Sequence, residues 1–161
     1  MSERKDQLKN HFNQLADSRA KYIKRNQYYY NQVIDFLKFV IPENSSILEI
    51  GSGNGDILAA LKPSRGVGVD FSEEMVRVAK SRHSELEFVC QDAEDLSITE
   101  KFDYILITDT LGHFEDVQRV FHNLKNCATA NTRVIITYQN FLWEPTIQLA
   151  EFLRLKMPQK K

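Results

Sequence analysis

The stretch Ile47-Leu-Glu-Ile-Gly51-Ser-Gly53-Asn-Gly55-Asp-Ile-Leu58 constrains this chain more than any other. An apolar run with strand character meets three glycines at alternate positions and continues into a helix-forming segment. One glycine is enough for a tight strand–helix turn. Three at this spacing bare a length of backbone for a ligand to press against, with the first amides of the helix pointing at it. In open α/β sheets such a ligand lies at the carboxyl end of the first strand. The dinucleotide fingerprint places its third glycine at a different spacing. Asp56 follows the third glycine here and would repel a pyrophosphate. Glu49, on the strand before the loop, can face an ammonium group directly or through water. The loop is therefore expected to take a cationic or zwitterionic ligand.

The pattern around the loop repeats. Short apolar runs at Ser46–Ile50, 66–69, 86–90, Tyr104–Thr108 and 134–138 alternate with helical stretches at 55–62, 72–82, 114–126 and 143–156. Alternation of this kind predicts βαβ units: an α/β, Rossmann-like, mainly parallel sheet with helices on both faces. Acids close the next two strands. Asp70 there suits the two hydroxyls of a ribose, or a turn. Phe71 lies against a base or packs in the core. Asp92, followed by Ala93, accepts from an adenine amino group or caps a short helix. Thr108 and Asp109 end the fourth strand and reach the centre of the site.

Composition narrows the class. The 161 residues carry 42% apolar side chains, enough for one core, and a formal net charge of −1, so no basic field draws the chain to nucleic acid. No apolar run approaches the roughly 18 residues of a membrane span, and the first ten residues lack the apolar stretch of a secretion signal. Cys90 and Cys127 read as buried free thiols, and no Cys/His cluster has metal-ligand spacing. A cytoplasmic location with no metal is expected.

Four segments in order carry a resemblance: Glu49-Ile-Gly-Ser-Gly-Asn-Gly55, Val69-Asp70-Phe-Ser-Glu-Glu-Met75, Gln91-Asp92-Ala93 and Phe102-Asp-Tyr-Ile-Leu-Ile-Thr-Asp109. Their order and spacing resemble the successive motifs of class I S-adenosylmethionine-dependent methyltransferases, over about residues 44–140. The resemblance implies that Gly51, Ser52, Gly53 and Gly55 cradle the methionine part of S-adenosylmethionine. It assigns Glu49 to the ammonium, Asp70 to the ribose hydroxyls, Asp92 and Ala93 to the adenine, and Thr108 and Asp109 to the sulfonium and acceptor. The chain is also similar to bacterial methyltransferases found beside, or fused to, sugar-transferring enzymes, which implies a small-molecule or glycan- or lipid-linked acceptor. His113 is the candidate base, or a packing histidine. A module that binds S-adenosylmethionine or its demethylated product without turnover is the alternative function.

Residues 1–43 form a separate helical segment before the core at 44–161. Tyr22, Arg25 and Tyr28, spaced by three, share roughly one helix face. Arg25 would pair with the cofactor carboxylate and Tyr28 would add a hydroxyl, making this segment a lid; otherwise it docks its aromatic face on the core. The family sheet has seven strands, and the 23 residues after Tyr138 leave no room for two more. Either the chain is a truncated piece or a partner completes the sheet, and the open fifth strand is the expected homodimer edge.

Overall fold

The computed structural model describes residues 2–138. The expected helix over 143–156 lies outside them. Five strands form one parallel sheet: β1 (Ser46–Ile50), β2 (Arg65–Asp70), β3 (Glu87–Cys90), β4 (Tyr104–Thr108) and β5 (Arg133–Thr137), in the order β3-β2-β1-β4-β5. The chain lays β2 and β3 on one side of β1, then returns to place β4 and β5 on the other. That reversal opens a crevice beyond the carboxyl ends of β1 and β4, where the glycine loop and Thr108 both arrive.

Burial explains the strand sequences. β1 and β4 are inner strands covered on both faces, so they read as near-continuous apolar runs. β3 and β5 alternate or stay exposed. Among the described residues β5 pairs only with β4, and its Val134 and Ile136 are exposed.

Helices cover both faces, as the alternating pattern predicts. On one side α2 (Gln27–Val40), α3 (Asp56–Leu61) and α4 (Glu73–Arg82) bury Val33, Leu37, Leu58, Val76 and Ala79 against Ile47, Phe88, Tyr104 and Leu106. On the other, α5 (Val117–Leu124) packs Val120 and Leu124 against Leu48, Ile50, Ile105 and Ile107. Ser72 caps α4, its hydroxyl accepting from the Met75 amide, with Glu73 and Glu74 in the first turn. α5 is shorter than expected because the chain turns at Leu111–His113 and Asp116 caps the helix only at 117.

The N-terminal segment is two helices: α1 (Glu3–Arg25) and α2, joined at the single residue Asn26. The Asn26 amide and its side-chain Nδ2 both donate to the Tyr22 carbonyl, which ends α1. Tyr22 and Tyr28 therefore belong to different helices and share no face. Cys127 is buried as expected, but Cys90 is exposed because it ends the edge strand β3.

Leu37 is fully buried and ties α2 to the sheet, whereas Phe39, two residues on, is 88% exposed. Leu37→Ala should lower the free energy of unfolding in urea by about 2–5 kcal/mol. Phe39→Ala should change it by less than about 0.5 kcal/mol.

Candidate functional site

The glycine loop is fastened to the end of β2. The amides of Gly51 and Ser52 both donate to the Val69 carbonyl, at 2.7 and 3.0 Å, and the Gly53 amide donates to Asp70 Oδ2 at 2.8 Å. Gly51 has a φ of 73°, and a Cβ there would lie 2.3 Å from Thr110 Oγ1. Only glycine fits. Gly55 begins α3 and lies against Phe88.

Two cavities of about 30 and 40 Å³ open on this loop, and Gly51 lines both. The first holds Asp70, Phe71, Asp92, Ala93 and His113, brought together from the ends of β2, β3 and β4. Asp70 is buried, with Oδ1 accepting from the Ser72 amide at 2.9 Å and Oδ2 from Gly53. Burial raises its pKa, opposed by those backbone amides. Each oxygen keeps a second lone pair for a ligand. Asp92 does cap the short turn Ala93–Asp95, accepting from the Glu94 amide at 2.9 Å. Its Oδ2 meets the Lys5 ammonium of α1 at 2.5 Å. Phe71 stands edge-on to Phe12 of α1, ring centres 5.9 Å apart.

The second cavity is lined by Glu49, Ser52, Asn54, Thr108 and Asp109, with Arg19, Ile23 and Tyr30 from the helical segment. Glu49 Oε2, Arg19 Nε, Ser52 Oγ and Asn54 Oδ1 are all buried without a hydrogen-bond partner. Buried polar atoms are rarely left so, and four lining one cavity form a set that a polar ligand could satisfy. Their chemistry is that of a zwitterion: an acid for an ammonium, a guanidinium for a carboxylate. Burial pushes the Glu49 carboxyl up to about 8, against the pull of nearby Arg19.

The cation in this cavity is Arg19. Arg25 and Tyr28 line neither cavity, and Tyr28 is 81% exposed. The break at Asn26 turns Tyr28 outward, and the docked face of α1 runs through Phe12, Ala16 and Arg19. Those positions, at helical spacing from Phe12, were the available signal in the sequence. Arg19 lies flat enough on Gly53 that a Cβ there would come within 2.9 Å of its Nε.

Asp109 follows β4 with a φ of 54°, unusual for a residue with a side chain. Tyr29 donates its hydroxyl to one Asp109 oxygen and Thr137 to the other. His113 lies instead in the first cavity, packed edge-on against Phe12 at 5.3 Å. Burial, then the guanidinium groups of Arg4 and Arg19, lowers its pKa, so the imidazole is mainly neutral at pH 7. The two catalytic candidates thus line different cavities, although Asp109 is near enough to oppose the lowering of the His113 pKa.

Comparison with known proteins places this geometry. A family model described as "Methyltransferase domain" matches residues 47–131, just over half of the chain. A Bacillus cereus malonyl-[acyl-carrier protein] O-methyltransferase is 31% identical over 125 residues, covering 73% of this chain and 46% of that protein. The chain spans about half the length of such relatives. Among solved structures, a Thermotoga maritima S-adenosylmethionine-dependent methyltransferase, described as a possible histamine N-methyltransferase, superposes with a TM-score of 0.76 at 21% identity, over 90% of this chain and 70% of its own. DhpI, solved as a complex with S-adenosylhomocysteine, superposes with a TM-score of 0.70 at 20% identity, over 82% and 67% of the two chains.

Between about pH 4.5 and 8 the folded chain keeps the Glu49 proton that the unfolded chain has lost. Stability attributable to this group is then present at low pH and falls as pH rises through that window, by at most about 1.4 kcal/mol per pH unit. Urea titrations across that range should show the decline, and Glu49→Gln should flatten it. An unchanged slope in that variant would assign the decline to other groups.

Proposed function

Since the chain belongs to the S-adenosylmethionine-dependent methyltransferase-domain family, we propose that it transfers the cofactor's methyl group to a small-molecule or a glycan-, lipid- or carrier-linked acceptor. The observation that carries the reading is the unpartnered set at the glycine loop: Glu49 Oε2, Arg19 Nε, Ser52 Oγ and Asn54 Oδ1. These atoms complement the amino-acid end of S-adenosylmethionine. Glu49 takes the ammonium, Arg19 the carboxylate, and Ser52 and Asn54 the remaining hydrogen bonds. Gly51, Gly53 and Gly55 let that end approach the backbone. Asp70 takes the ribose hydroxyls with its free lone pairs, Phe71 flanks the nucleoside, and Asp92 with Ala93 receives the adenine.

When bound, the cofactor supplies a methyl group already activated on sulfonium. The chain's own task is then alignment, which accounts for several kcal/mol of such a barrier. Thr108 and Asp109 end β4 beside Gly51 and face the transfer point, with Asp109 held by Tyr29 and Thr137. An acceptor that arrives protonated needs a base, and His113 is neutral and suited to take that proton. A carboxylate acceptor needs none. The name of the Bacillus cereus relative, a malonyl-[acyl-carrier protein] O-methyltransferase, supports a carrier-linked acceptor methylated on oxygen.

The second reading, a module that binds the cofactor without turnover, is favoured by the separation of His113 and Asp109 into different cavities. A screen of acceptors with labelled methyl donor separates the two readings. Transfer to any acceptor above background establishes the enzyme, and tight binding with no transfer establishes the module.

Calorimetry with S-adenosylhomocysteine tests the residue roles. Asp70→Ala and Arg19→Ala should each weaken binding by about 10- to 100-fold, the worth of hydrogen bonds to a charged group. Arg25→Ala should stay within about twofold. Wild-type affinity in Asp70→Ala, with the far-ultraviolet spectrum intact, would remove the ribose assignment.

A further inference from the structure

One face of α1 lies along the whole crevice. Lys5, Leu8, Phe12, Ala16 and Arg19 recur at helical spacing on it. Leu8 and Ala16 are buried. Phe12 stands edge-on to Phe71 and His113, with ring centres 5.9 and 5.3 Å away. Asn13 Oδ1 accepts from the Ser72 hydroxyl at 2.6 Å. At the far end Lys5, only 8% exposed, puts its ammonium 2.5 Å from Asp92 Oδ2 and 2.9 Å from Glu94 Oε2.

That arrangement fills the place where an adenine has to go. Asp92 Oδ1 is used by the Glu94 amide and Oδ2 by Lys5. The cavity beside it, about 30 Å³, has room for about two or three waters and not for a nucleoside. The first half of α1 is fastened by exchangeable polar contacts: Ser2 with Glu115, Lys5 with Asp92 and Glu94, Lys9 with Glu73 at 2.8 Å, Asn13 with Ser72. Its apolar anchoring is the buried Leu8, the contacts of Phe12 with Phe71 and His113, and the small cluster of Phe12, Leu15 and Ala16 with Met75 and Val78, apart from both main cores. A buried ion pair adds little net stability against its solvated form, so a helix held this way can be lifted at modest cost.

We propose that the N-terminal half of α1 is a self-inhibitory plug of the adenosine end of the crevice, with Lys5 as its pin in Asp92 and Glu94. The proposal rests on the assignment of Asp92 to the adenine. Cofactor enters when residues 3–15 lift away, while Arg19 on the same helix stays to receive the carboxylate. The closed population reduces the apparent affinity by the fraction of molecules that are open.

The test compares full-length wild type, Lys5→Gln and Lys5→Arg, with S-adenosylhomocysteine as the probe in calorimetry and in amide hydrogen exchange. Lys5→Gln should bind about tenfold more tightly than wild type, and Lys5→Arg, which keeps the pair, should resemble wild type. In wild type the probe should speed exchange over residues 3–15 and slow it in the glycine loop. Should Lys5→Gln not fold, the wild-type exchange pattern decides. Equal or weaker binding by Lys5→Gln, or protection of residues 3–15 by the probe, overturns the plug and leaves the cofactor site standing. No binding by any of the three proteins overturns the plug together with the site assignment beneath it.

Discussion

Three successive amides of the glycine loop are committed to the end of β2: Gly51 and Ser52 to the Val69 carbonyl, Gly53 to the Asp70 carboxylate. Everything at the site depends on that commitment. The parallel register sets Ile50 opposite Val69, so β1 ends where β2 still runs, and the loop has to fold over its neighbour. Positive φ at the glycines makes the path sterically accessible. One carboxylate thereby sits at the base of the loop and at the mouth of the crevice, structural and available for binding together.

The same geometry explains the electrostatics. Glu49 is a charged-type residue on a central strand, walled in by its own sheet and by Arg19. A carboxylate there is costly unless a cation meets it, and it holds a proton instead. An arriving ammonium reverses that balance. On the proposed reading, in which the cofactor's ammonium meets Glu49, binding there would release that proton.

Much of the sheet was legible in the sequence because periodicity and burial agree there. β1 and β4 are apolar runs of strand length, and each acid that closes a strand turns up at a crevice wall. The glycine spacing was equally readable, since each position needs a backbone that only glycine adopts easily. What could not be read was the orientation of the helical segment. Tyr22, Arg25 and Tyr28 look aligned if one helix is assumed, but Asn26 ends α1 between them. Which face of α1 turns inward is set by Met75 and Val78 on a helix some sixty residues away, and no local pattern carries that information. Asp92 was ambiguous for a different reason: a carboxylate after a strand serves equally as a cap and as an acceptor, and it caps here while an unforeseen lysine takes its other oxygen.

The single-residue joint at Asn26 has mechanical consequences. α2 is rooted in the core through Val33 and Leu37, so in the proposed lifting the joint would serve as a fulcrum and α1 as an arm. Lys5 lies 21 residues out along that arm, about 31 Å at 1.5 Å per residue, so a tilt of about 10° sweeps it through about 5 Å. Arg19, near the pivot, moves only about 2 Å in the same swing. Leverage alone therefore lets one end of the helix clear its seat while the other keeps its grip.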